Sequence, residues 1–88
     1  MLLRNHGTLT VGRSVASAFE RMFHLERACT MQVRTRMLGP VAYPVDAAVV
    51  DKNTQLLNNP DRQELRSTTL VWPALLRKLD RLDPGYRN

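Results

Sequence analysis

The chain has 88 residues, 43 % hydrophobic and 24 % charged, the balance of an ordinary globular protein and not of a low-complexity or collagen-like one. Its net charge of +5 comes from basic residues scattered among acids without a run of like charge, so a solvated basic surface is favoured over a nucleic-acid face. No apolar run approaches the ~20 residues of a membrane span, and the single cysteine, Cys29, excludes an internal disulfide and suits a reducing cytoplasm.

Residues 1–12 read as two short strands around Asn5-His6-Gly7, rich in Leu, Thr and Val and punctuated by glycine. Leu2-Leu3 resembles the end of a buried strand, and a bare edge there would need a partner. Residues 14–38 predict a long helix capped by Ser14. Val15, Ala18, Phe19, Met22, Leu25, Cys29, Gln32, Val33 and Met37 form its mostly apolar stripe, and Gly39-Pro40 ends it. That stripe calls for covering surface of similar length, of which this chain offers little.

Residues 40–58 read as a linker with two prolines, in which Val45 to Val50 is open between strand and helical turn. Asn59-Pro60-Asp61 predicts a new helix start, with an N-cap, a proline in the first turn and an acid beside it. Leu65, Thr69, Trp72, Leu76, Leu79 and Leu82 give the second stripe. Pro73 lies inside it and predicts a kink, or a split into 60–72 and 73–82. Asp83-Pro84-Gly85 stops the helix before the tail Tyr86-Arg87-Asn88.

His6 is the residue best placed for chemistry. A neutral imidazole on a tight turn can bind a divalent metal. Taken alone, however, it reads as a turn histidine satisfied by the backbone, because a catalytic zinc site needs three protein ligands. His24 lies mid-helix with Glu20 and Ala28 four residues away, a weak metal spacing. Cys29 sits on the apolar stripe and reads as a small buried hydrophobe. Glu20 and Glu26 are six apart, on different faces, and suit salt bridges better than paired acid–base work. Trp72 reads as a core anchor. No phosphate loop, Ser-His-Asp signature or Cys-x-x-Cys pair is present, so these residues assign no catalytic role.

The order of residues adds more. Leu2-Leu3-Arg4-Asn5-His6-Gly7, Val11-Gly12-Arg13-Ser14-Val15, Ala18-Phe19 and Leu25-Glu26-Arg27-Ala28-Cys29 with Gln32 beyond resemble the class II aldolase/adducin family. The run Trp72-Pro73-Ala74-Leu75-Leu76-Arg77, with Asp83-Pro84-Gly85-Tyr86, resembles the ends of bacterial members. This resemblance implies that residues 1–88 are the C-terminal portion of a three-layer α/β/α domain: two strands, a long helix, a linker and a proline-kinked terminal helix. The N-terminal half would lie outside the chain, as for a truncated gene or an internal start.

By the same resemblance, full-length members are cytoplasmic homotetramers that make or break carbon–carbon bonds in small hydroxy-carbonyl or sugar-phosphate substrates. Three histidines hold a zinc that polarises the substrate carbonyl. His6 matches the third of those ligands. The upstream His-x-His pair and the acid–base glutamate are not in the chain, so zinc and activity are expected only together with the missing half. Tyr86 matches a tail that can approach a neighbouring subunit's site. The family's other branch, adducin, keeps the motif without catalysis and serves the actin cytoskeleton, so a non-catalytic assembly module is the alternative. A small basic nucleic-acid-binding protein is a third and weaker reading.

Overall fold

The computed structural model describes residues 1–40 and 43–87; Val41 and Ala42 of the predicted linker and Asn88 of the tail lie outside them. Strands β1 (Leu2–Leu3) and β2 (Gly7–Thr8) pair antiparallel, with Leu2 opposite Thr8 and Leu3 opposite Gly7. The connection is therefore a three-residue loop, Arg4-Asn5-His6, and it needs left-handed backbone. Asn5 supplies it at φ 63°, a conformation asparagine tolerates better than most residues, and Gly7 follows at φ 119°. The ammonium of Met1 donates to the Leu9 carbonyl, and Leu9 N–H returns a bond to Met1, each at 2.9 Å.

Helix α1 (Val15–Met37) starts where Ser14 was expected to cap it. The Ser14 hydroxyl accepts from Ser17 N–H, and the Ser17 hydroxyl accepts from Ser14 N–H, both at 3.2 Å. This is a capping box with serine in the place usually held by Glu or Gln. The strand ribbon is tied down on α1 by Thr10, whose hydroxyl donates to the Ala18 carbonyl at 2.9 Å, and by Arg21, which donates to the Val11 carbonyl at 2.7 Å. Gly12 makes that approach possible: a Cβ there would stand 2.4 Å from Ser17 Oγ and 2.6 Å from Ala18 N. Gly39, at φ 119°, ends the helix in the left-handed conformation expected of it.

The buried face of α1 is not the predicted stripe. Ala16, Ser17 and Glu20 are buried, whereas Val15, Phe19, Val33 and Met37 of the apolar stripe are exposed, Met37 to 80 %. Cys29 is half-buried. The described residues fold only the first half of α1 against other elements, where Phe19 meets Trp72 and Met22 meets Thr8, and the far end of the stripe at Val33 and Met37 stays exposed.

Within the predicted linker the structure forms helix α2 (Ala47–Leu57), which makes the open Val45–Val50 run helical from Ala47 onward. Asp46 caps it by accepting from Ala48 N–H at 2.8 Å. Helix α3 (Pro60–Arg66) begins at the expected cap, with the Asn59 side chain accepting from Arg62 N–H at 3.0 Å. A π-helical turn (Ser67–Val71) and helix α4 (Trp72–Leu82) follow in one continuous helical path.

Where a kink or a split was expected at Pro73, the helical path continues through a π turn just before it. Pro73 cannot donate to the carbonyl four residues back, and its ring crowds that carbonyl. Widening the preceding turn relieves both problems, and Trp72 N–H bonds to Ser67 O, five residues back. Asp83 ends α4, and a 3₁₀ turn (Pro84–Arg87) folds the tail back, where Tyr86 donates to Asp80 at 2.8 Å.

The chain is elongated, 50 × 30 × 25 Å, with a radius of gyration of 16.5 Å, against ~12 Å for a compact domain of this length. Ala16 is the sole buried hydrophobic residue among those described. The order of elements expected from the resemblance is present. The three-layer α/β/α arrangement is not seen within the described residues, whose sheet is one two-stranded ribbon. None of their helices is long and apolar enough to cross a membrane.

Candidate functional site

His6 sits at the tip of the β1–β2 loop, exposed, with its N–H bonded to the Leu3 carbonyl at 3.2 Å. Its Nδ1 lies 2.9 Å from the Arg4 carbonyl oxygen. A carbonyl only accepts, so in the neutral ring the proton is on Nδ1 and the lone pair is on Nε2. A backbone carbonyl holding one imidazole nitrogen while the other faces outward is the usual orientation of a metal-binding histidine.

The other candidates do not join it. Among the described residues, no three His, Cys, Asp or Glu side chains converge on a point that could hold a metal. His24 stands beside Glu20, its Nε2 3.5 Å from Oε1, and is largely exposed. Tyr86 is engaged with Asp80. The residues present therefore fit one ligand position of a zinc site, and do not fit a complete one.

Glu20, read from sequence as a salt-bridge or helix-surface acid, is 7 % exposed. One carboxylate oxygen accepts from the Ser67 hydroxyl at 2.6 Å; the other pairs with Arg66. Ser67 Oγ also lies 2.8 Å from the Gln63 carbonyl, but it has one proton, and the shorter, charge-assisted bond takes it. A matching contact runs the other way. The nearby Ser14 and Ser17 hydroxyls hold the Glu64 carboxylate below the usual carboxylate range, helped by the charges of Arg13 and Arg21.

Each partner thus offers a serine and a glutamate three apart, Ser17 with Glu20 on α1 and Glu64 with Ser67 at the α3–π junction. Neighbouring helical turns place each such pair on one face. That spacing was readable in sequence; that the two pairs meet was not, because they lie 47 residues apart. Beside this clasp opens a cavity of about 680 Å³ between α1, the end of α2 and α3.

Comparison with known proteins adds the relationship. Residues 1–33 match the family model described as Class II Aldolase and Adducin N-terminal domain. The chain is 39 % identical over 88 residues to the "Putative aldolase class 2 protein" of Pseudomonas aeruginosa, covering 99 % of this chain and 34 % of that one. It is 38 % identical over 95 residues to a Caulobacter vibrioides protein of the same description, covering 98 % of this chain and 33 % of that one. Human β-adducin is 48 % identical over 33 residues, 38 % of this chain and 4 % of adducin. The chain spans about a third of the length of the two bacterial relatives. No solved structure matches it. The likeness to the family model spans residues 1–33, the Asn-His-Gly turn included, and the likeness to the bacterial relatives runs on through the terminal helix: the chain is similar to members of the class II aldolase/adducin family.

Proposed function

We propose that residues 1–88 are the C-terminal portion of a zinc-dependent class II aldolase-type lyase, a cytoplasmic homo-oligomer acting on small hydroxy-carbonyl or sugar-phosphate compounds. In this reading His6 supplies one zinc ligand through Nε2. The remaining ligands and the acid–base group come from residues outside the chain, which is inactive without them. The observation that carries the reading is the His6 turn, where left-handed Asn5 and the 2.9 Å contact of Nδ1 with the Arg4 carbonyl present Nε2 outward. The uncovered stripe of α1 supports a role inside a larger assembly, since exposed apolar surface of this extent ordinarily marks an interface.

The extent of likeness favours lyase over adducin-like scaffold. Similarity to the bacterial aldolase-named proteins covers nearly all of this chain, and similarity to β-adducin stops after 33 residues. Over those 33 residues the identity to β-adducin is 48 %, which keeps a non-catalytic assembly module as the second reading. The test is a chimaera in which residues 1–88 replace the matching third of the Pseudomonas aeruginosa relative. Metal-dependent carbon–carbon cleavage of a short phosphorylated hydroxy-carbonyl compound, lost in His6→Ala, is expected. A folded chimaera that cleaves no member of a panel of such compounds would favour the scaffold.

A further inference from the structure

The cleft beside Glu20 has no part in the proposed zinc chemistry, and its chemistry differs from that of the His6 turn. We propose that it binds a small organic anion, whose phosphate or carboxylate group is held by Arg62 with Arg21 and His24 and whose apolar body rests on Leu56 and Leu57. The cavity of about 680 Å³ lies within the range of small-molecule sites. All five of these side chains line it.

The charge balance selects an anion. Glu20 is buried and its charge is consumed by Arg66 and by the Ser67 hydroxyl, so this acid fixes the wall without repelling a ligand. Asp61 is paired with Arg13 at 2.6 Å. Glu64 is held in its charged form by the nearby Ser14 and Ser17 hydroxyls and by the charges of Arg13 and Arg21. Arg21 uses one guanidinium nitrogen on the Val11 carbonyl and keeps its other donors. Arg62 makes no ion pair among the described residues, and its planar fork suits an oxyanion. His24 adds a donor, and a charge when protonated.

The experiment is titration of the 88-residue chain with inorganic phosphate and, separately, with benzoate, followed by calorimetry and by amide chemical shifts. Saturable one-to-one binding is expected, with shifts in the first half of α1 and in α3. Arg62→Gln should weaken it at least ~tenfold, a loss of ~1.4 kcal/mol, while Arg34→Gln, outside the cleft, leaves it unchanged. Tighter benzoate binding would assign a carboxylate on an apolar body, and tighter phosphate binding a phosphate ester. Equal weakening by the two arginine variants, non-saturable shifts, or a chain in which α1 and α3 are not docked would each overturn the proposal.

Discussion

Ser67→Ala isolates the strongest buried polar contact of the chain. It removes the donor of a 2.6 Å charge-assisted bond to a carboxylate whose side chain is 9 % exposed. Hydrogen bonds to charged groups are worth about 1.5–3 kcal/mol net, and the upper half of that range fits here because water cannot replace the lost hydroxyl. The other Glu20 oxygen keeps Arg66, which holds the loss below that of an unpaired buried charge. Arg66→Ala should cost less, because Arg66 is half exposed and Glu20 retains Ser67.

Trp72, the single tryptophan, meets Phe19 edge-on at 5.6 Å and so reports the docking of α4 on α1. Urea unfolding followed by its fluorescence should show a lower midpoint in Ser67→Ala, with the slope unchanged. A double-mutant cycle with Glu20→Gln should return coupling of about 1–2 kcal/mol. An unchanged midpoint, or zero coupling, would refute the buried clasp.

Two glycines fail for different reasons. Gly12→Ala drives a Cβ to 2.6 Å from backbone Ala18 N and should cost about 1–3 kcal/mol in a urea titration. Gly7→Ala meets no atom within 4 Å, yet its φ of 119° imposes strain on an L side chain of about 1–3 kcal/mol. Its effect should be confined to loss of the ribbon's amide protection. Glu64 sets an acid limb: with its folded pKa depressed below the ordinary 4.5, the stability it contributes is present above that value and lost as pH falls through the folded one. Glu64→Gln should flatten that part of a stability-against-pH profile. His6→Ala touches only an exposed ring bonded to Arg4 and should change stability by less than about 0.5 kcal/mol.

Features decided within a few residues were legible in the sequence. Ser14, Asn59 and Gly39 each act through their own turn, and each caps the helix end expected of it. The Val45–Val50 run was ambiguous because β-branched Val49 and Val50 favour strand while Asp46 caps a helix, and the cap prevailed. Pro73 was read by the local rule of a helix break; a π turn satisfied the same constraint by shifting the hydrogen-bond pattern instead.

Glu20 shows where sequence reading stops. A salt-bridge or helix-surface role was expected of it; the salt bridge is present, but its burial and its partners Arg66 and Ser67, more than forty residues away, were not readable. His6 read from its own turn as a histidine satisfied by the backbone, and only the resemblance made it a candidate ligand; the structure adds the Arg4 carbonyl beside its Nδ1. The apolar stripe of α1 meets described residues only in its first half, as where Phe19 meets Trp72, and Val33 and Met37 at its far end stay exposed.

The central claim is that His6 is one ligand of a zinc site completed by residues outside this chain. Zinc content per subunit, measured by mass spectrometry after exhaustive dialysis, tests it most directly. The chimaera with the Pseudomonas aeruginosa relative should retain about one zinc per subunit, its His6→Ala form none with the fold intact, and the 88-residue chain none at micromolar zinc. Full retention of zinc by the folded His6→Ala chimaera, or tight stoichiometric zinc on the 88-residue chain, would contradict the account.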